Sequence, residues 1–232
     1  MTVSRRTTII TGATGGLGRA FVARFAALGD RLILLDLEQA ACDDLARQVG
    51  NDSLGWAFDL ADPEAIQRFW NWCDDQVGPP DVLLNNAGVG PSMQPTLQTA
   101  TSDFARVIAV NLAAPVMMQA EAVARMKPGS VVINTASLAG LVPNPRRNAY
   151  GAAKAAIVDL TARSAPALAQ KGIRVCGVAP GYVLTDMVAT LARDGNIDLG
   201  AVRRRIPLGR LARPDEIASV VAFLASDAAV GC

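Results

Sequence analysis

Thr7-Thr8-Ile9-Ile10-Thr11 runs into Gly12-Ala13-Thr14-Gly15-Gly16-Leu17-Gly18, and an apolar helical pattern follows. A β-branched run, a glycine-rich turn and a helix in that order form the opening of a βαβ unit. Glycines in the turn permit a tight bend and let the backbone approach a pyrophosphate, whose charge a helix N-terminus favours. Taken alone, such a turn is equally a plain loop; the flanking elements give it meaning. Further along, short β-branched or leucine-rich runs keep alternating with longer helical patterns. Strands are expected at 7–11, 31–36, 54–58, 82–85, 130–135 and 174–178, and helices at 17–28, 39–49, 63–76, 101–126, 149–170 and 213–225. This alternation predicts an α/β fold, a Rossmann-type doubly wound parallel sheet of six strands with helices on both faces. The 232 residues suit one domain, 1–232. Segment 185–210 mixes Gly, Asp and short helical pieces after a strand, and reads as an insertion over the carboxyl edge of the sheet.

Asp36 ends the second expected strand, eighteen residues beyond Gly18. A carboxylate there can accept both hydroxyls of an adenosine ribose and would repel a 2′-phosphate. Neither Leu37 nor Gly15 supplies a compensating cation, so NAD is expected rather than NADP. Asp36 is also open to a second reading, as the cap of the following helix.

Composition removes several classes of function. There is no histidine, which excludes a Ser-His-Asp triad and any histidine-ligated metal. The four cysteines, Cys42, Cys73, Cys176 and Cys232, contain no Cys-x-x-Cys pair, so neither a disulfide framework nor a metal site is expected. A net charge of +1 creates no field for nucleic acid or membrane. Arg203-Arg204-Arg205 reads as a solvated helix face. No signal-type core opens the chain and no uninterrupted apolar run is long enough to span a bilayer, so a cytoplasmic, reducing location is expected.

Asn148-Ala149-Tyr150-Gly151-Ala152-Ala153-Lys154 carries the second chemical signal. Tyr150 and Lys154, four apart, stand one turn above each other on a helix. An ammonium beside a phenol stabilises phenolate, so the Tyr150 pKa is expected to fall towards neutrality. By spacing alone the pair is equally an ordinary surface contact.

Taken together, the glycine-rich turn 11–18, Asn85-Asn86-Ala87-Gly88, Ser137 thirteen residues before Tyr150, the Tyr150/Lys154 pair and Pro180-Gly181 resemble the short-chain dehydrogenase/reductase family, over residues 7 to about 229. The resemblance implies hydride transfer between NAD(H) and a secondary alcohol or ketone, by a tetrad of Asn111, Ser137, Tyr150 and Lys154. Tyr150 would exchange the proton with the substrate oxygen and Ser137 would hydrogen-bond that oxygen. Lys154 would hold the nicotinamide ribose and support phenolate, and Asn111 would hold a water linking Lys154 to solvent. Ser137 could equally cap a turn, and Asn111 could equally bond a neighbouring backbone. The resemblance also implies cofactor contacts from Gly12, Thr14, Gly16, Leu17, Gly18, Asp36 and Leu37. Asp59 and Leu60 would meet the adenine, although an Asp-Leu pair is otherwise a turn. Asn86, Ala87 and Gly88 would make room beside the adenosine, while Asn85 would bond backbone and stabilise the sheet. Pro180, Gly181, Val183 and Thr185 would face the nicotinamide, joined by Tyr150 and Lys154. Residues 185–210 would be a substrate lid. Met93, Met187 and Leu191 would line an apolar pocket or simply pack the lid. The implied assembly is a homodimer or homotetramer.

Three features depart from the resemblance. Pro166 falls within the helix expected at 149–170, where it costs roughly 3 kcal/mol or a kink. Cys176 stands where relatives often carry Asn, and is expected to be a buried, inert thiol. The residues after Asp227 are too few for the loop and seventh strand that relatives have, which would leave the sixth strand as an edge. A non-catalytic NAD-binding sensor or scaffold is the alternative to the enzyme.

Overall fold

A computed structural model describes residues 5–91, 93–94, 98–144 and 146–231. Part of the expected loop 89–97, namely Ser92 and 95–97, lies outside the described residues, as does Cys232.

Strands β1 (Thr7–Thr11), β2 (Arg31–Asp36), β3 (Leu54–Ala57), β4 (Val82–Asn85), β5 (Val131–Thr135) and β6 (Arg174–Val178) form one parallel sheet in the order β3-β2-β1-β4-β5-β6. The strand centres, such as Ile9-Ile10, Leu32–Leu35 and Val131–Ile133, are apolar because both faces are covered. Alternate residues go to opposite sides: Ile10, Leu34, Leu84 and Ile133 enter one core, and Ile9, Ile33, Leu83 and Val132 the other.

The first core is closed by α1 (Gly16–Ala27), α2 (Gln39–Val49) and, from the far end of the chain, α9 (Pro214–Leu224). The second is closed by α3 (Pro63–Gln76), α5 (Ala114–Arg125) and α6 (Asn148–Ala169). Preceding α5 are α4 (Thr101–Ile108) and a π-helical turn, Ala109–Ala113. The single helix expected at 101–126 is therefore one continuous rod with an overwide turn in it. Its 25 residues from Thr101 to Arg125 reach the length and hydropathy of a membrane-crossing helix. Ala114, Met118 and Ala122 of the rod are buried against the sheet, so its apolar character belongs to core packing.

Segment 185–210 contains α7 (Asp186–Arg193) and α8 (Leu199–Arg205). A β-bridge between Val183 and Ala212 closes its base. The helix α6 continues past Pro166 to Ala169. The proline sits in the last turn, where little helix remains for a break to disturb. Among the described residues β6 is an outer strand, paired only with β5. Arg174 at its start reaches the carbonyl oxygens of Leu224 (2.7 Å) and Ser226 (3.1 Å), fastening the segment after α9 beside that edge.

The chain reverses its direction of sheet building between β1 and β4, which are neighbours though far apart in sequence. A crevice opens where such neighbouring strands diverge at their carboxyl ends.

Candidate active site

A cleft of about 380 Å³ occupies that crevice, and all but two of the expected site residues line it. Thr11 ties its two walls together. Its hydroxyl accepts from the backbone N–H of Asn86 (2.9 Å) and donates to Leu84 O (3.2 Å), while the Asn86 amide donates to Thr11 O (2.9 Å). Gly12 has φ +65°, and a Cβ on it would stand 2.8 Å from Ala87 Cα. A Cβ on Gly18 would meet Gly12 O at 1.9 Å. These glycines are therefore demanded by the packing of turn, helix and neighbouring strand. Helix α1 begins at Gly15 without a side-chain cap and has no acidic residue in its first turn. Its first backbone N–H groups are left to the cleft, where Gly16, Leu17 and Gly18 line the wall.

Asp36 reaches the same end of the cleft. Its carboxylate accepts from the Thr14 N–H (2.9 Å), the Thr14 hydroxyl (2.6 Å) and the Leu37 N–H (2.9 Å). Thr14, expected to touch the cofactor itself, does not line the cleft. Its hydrogen-bonding groups are spent on holding Asp36. Asp59 and Leu60 line the cleft beside Leu37. Asp59 is paired with Arg106 (2.5 Å), which holds its carboxyl below the usual carboxylate range, with the Ala61 N–H adding to the effect. Asn85 donates to Asn134 Oδ1 (2.9 Å) and Pro115 O (3.3 Å), a buried tie between strands and helix as expected.

Ser137, Tyr150 and Lys154 meet at the other end of the cleft, with Pro180, Gly181, Val183 and Thr185 around them. Ser137 leaves β5 and caps a short 3₁₀ turn, Leu138–Gly140, through a bond from the Ala139 N–H (3.1 Å). This turn lies against α6 so tightly that a Cβ on Gly140 would come 2.5 Å from the carbonyl carbon of Lys154. Lys154, 4% exposed, donates to Thr135 O at 2.6 Å. Burial lowers its pKa from 10.5 to about 8.

The expected fall of the Tyr150 pKa is not what this geometry gives. Burial pushes the phenol above its ordinary 10.0, while a hydrogen bond with Ser137 and the charge of Arg147 oppose the rise. The Lys154 ammonium stands 5.9 Å from the ring centroid and is bound to a carbonyl instead. The two residues do share one face of α6, but the ammonium points away from the phenolic oxygen, towards Thr135 O.

Asn111 sits in the π-helical turn, fully buried, and does not line the cleft. It accepts from the Val89 N–H (2.8 Å) and donates to Val89 O (2.9 Å). These bonds realise the backbone-bonding reading of its side chain. It still stands beside Lys154: a Cβ on Gly88 would be 3.2 Å from Asn111 Oδ1 and 3.6 Å from Lys154 Nζ.

The start of segment 185–210, from Thr185 to Leu191, lines the cleft. Thr185 Cβ approaches within 3.0 Å of a Cβ placed on Gly16, and Met187 Cγ within 3.5 Å of one placed on Gly90. Met187 and Leu191 line the cleft, whereas Met93 is buried outside it. Arg147 and Tyr182 were not anticipated as site residues, yet both line the catalytic end. Arg147 lies one turn before Tyr150, and that spacing is the signal that could have found it.

A family model described as Enoyl-(Acyl carrier protein) reductase matches residues 12–232. An uncharacterized short-chain type dehydrogenase/reductase of Sinorhizobium fredii is 45% identical over 221 residues, 95% of this chain; the chain spans only 40% of that longer relative. Cis-4-hydroxycyclohexanecarboxylate dehydrogenase of Sinomonas cyclohexanicum is 34% identical over 231 residues, covering 97% of this chain and 91% of the relative. Among solved structures, a short-chain glucose/ribitol dehydrogenase from Brucella melitensis superposes with a TM-score of 0.90 at 33% identity, over 98% of this chain and 91% of that one. With this coverage and this likeness of structure, the chain belongs to the short-chain dehydrogenase/reductase family.

Proposed function

We propose that the protein is an oxidoreductase that transfers a hydride between NAD(H) and a secondary alcohol or its ketone. The observation that carries this reading is the convergence of Ser137, Tyr150 and Lys154 at one end of a cleft whose other end presents an uncapped helix N-terminus and Asp36. The residues fit a nicotinamide dinucleotide. Gly15 leaves open space at the N–H groups of α1 for a pyrophosphate, and Asp36 presents a carboxylate to the adenosine ribose. When bound, such a cofactor gives or takes the hydride. The charge at Asp36 favours NAD over NADP.

The chain's own residues handle the proton and the oxygen. Tyr150 gives a proton to the carbonyl oxygen during reduction and takes it back during alcohol oxidation. Ser137 donates a hydrogen bond where negative charge develops on that oxygen. Lys154, cationic below about pH 8, holds the nicotinamide ribose. Asn111 holds the turn after β4 in place through Val89. Since burial keeps the phenol protonated at neutral pH, reduction is favoured there and oxidation gains as pH rises. Segment 185–210 serves as the substrate lid. A homodimer or homotetramer is supported by the exposed Phe104 and Val116 on α4 and α5.

The relative from Sinomonas cyclohexanicum is a dehydrogenase of cis-4-hydroxycyclohexanecarboxylate, a cyclic secondary alcohol, which supports the CH–OH assignment. The test is a panel of secondary alcohols with NAD and with NADP, followed by nicotinamide absorbance. Turnover with NAD is expected, and Tyr150→Phe is expected to lower kcat by roughly 10²–10⁴ while leaving cofactor affinity intact. Undiminished turnover by that variant would refute the assigned proton donor.

A further inference from the structure

We propose that Arg147 anchors a carboxylate on the substrate, so that the cleft selects hydroxy or keto acids over neutral alcohols; this rests on the dehydrogenase reading above. A guanidinium carries five N–H donors. One nitrogen of Arg147, Nη2, donates to the Tyr182 hydroxyl at 2.9 Å. Its Nε is buried without a hydrogen-bond partner, one of only two such side-chain nitrogens among the described residues. No carboxylate among them lies within ion-pairing distance of it. An arginine on the cleft wall without a counter-ion attracts an arriving anion, and its Nη N–H groups not engaged by Tyr182 remain for one.

The other cations near this cleft are spent. Arg106 is paired with Asp59, Lys154 is bound to Thr135 O, and Arg146 donates to Met93 O (3.1 Å). Asp186 lines the same cleft but is exposed at the start of α7 and makes no ion pair with Arg147 among the described residues. Asp103 shares with Arg147 only a minor hollow behind Tyr150.

Arg147 is also held where a substrate must come. Its guanidinium carbon stands 5.2 Å from the centroid of the Tyr182 ring, which fixes the plane of the fork. Its charge already acts on the Tyr150 phenol. Around the pair the cleft is apolar, with Pro91, Met187, Val188 and Leu191. An apolar body ending in a carboxylate matches that lining, and a guanidinium can take it through two parallel N–H···O bonds.

The experiment uses the full chain saturated with its nicotinamide cofactor. Cyclohexanecarboxylate and the uncharged cyclohexanecarboxamide are titrated by calorimetry, and a hydroxy acid is compared with its methyl ester in turnover. Tenfold or more preference for the acid is expected in both assays. Arg147→Gln should erase the preference mainly through KM, and Arg147→Lys should keep part of it. Arg146→Gln, the same charge change one residue away, should leave it intact. Equal binding of acid and amide to the unaltered protein, which needs no variant to fold, overturns the proposal. Equal losses in the Arg146 and Arg147 variants overturn it too. Selective carboxylate binding without turnover of any alcohol supports the anchor while sinking the dehydrogenase reading. Tyr150-dependent turnover of neutral alcohols without carboxylate binding does the reverse, and absence of both defeats the two together.

Discussion

The ammonium of Lys154 donates to the carbonyl oxygen of Thr135 at 2.6 Å, so the lysine is tied to the end of β5 and not to the phenol of Tyr150. The bond orients Nζ but does not offset its burial, which leaves the pKa near 8 against 10.5 in the unfolded chain.

That shift has a sign that can be read in unfolding experiments. Between about pH 8 and 10.5 the unfolded chain holds a proton at Lys154 that the folded chain has lost. Stability therefore rises with pH across this window, and the cost of the buried charge is fully felt below it. From pH 7.5 to 9.5 the protein should gain about 2 kcal/mol relative to a Lys154→Met variant, measured without cofactor. Above pH 10 the raised Tyr150 pKa acts oppositely, because the unfolded chain then loses a proton that the folded phenol retains. Parallel pH curves for the two proteins would show that Lys154 titrates normally.

The glycines make a graded series. A Cβ on Gly18 would overlap Gly12 O at 1.9 Å and one on Gly140 would press on Lys154 at 2.5 Å, but one on Gly15 finds nothing closer than 3.6 Å. Gly18→Ala should destabilise by about 2 kcal/mol or more, because backbone must move. Gly15→Ala should stay within about 0.5 kcal/mol. Gly140→Ala is expected to lower kcat beyond its effect on melting temperature, because it displaces the backbone that carries Lys154. An unaltered kcat in a folded Gly140→Ala protein would separate this turn from catalysis.

Asp36 sets cofactor choice in the proposed reading. Replacement by Ser removes the carboxylate that Thr14 and Leu37 hold in place. Charge-assisted bonds are worth about 1.5–3 kcal/mol, so the NAD-over-NADP ratio of kcat/KM should fall roughly ten- to a hundredfold. A ratio that does not move would remove Asp36 from the discrimination.

Cys42 and Cys73 are thiols that burial pushes up, to about 11 and about 12, with Asp36 and Asp74 adding to the rise. Neither should react with a disulfide reagent at pH 8 in the folded protein, and both should react after unfolding. Fast labelling of either in the native state would show an opening of the core beneath α2 or α3.

Much of this architecture was legible because parallel strands buried on two faces carry apolar or β-branched centres, and glycines mark where backbone meets backbone. Strand and helix limits fell within a residue or two of 7–11, 31–36, 39–49 and 63–76. The π-helical turn escaped, since one extra residue in a rod of 25 barely changes hydrophobic periodicity. So did the direction of the Tyr150 shift, which depends on where an ammonium points after burial. Arg147 was hidden for a related reason: only the fold brings Tyr182, thirty-five residues later, against it.

The overwide turn at Ala109–Ala113 makes this stretch more sensitive to changes of length than of side chain. Excising a single residue there would draw the wide turn into regular winding and take away the bulge that seats Asn111 against Val89. Arg106 would keep its place by Asp59, while the segment after β4 would lose its brace even though every glycine stayed in place. Engineers shortening or grafting this helix should therefore count residues before they choose them.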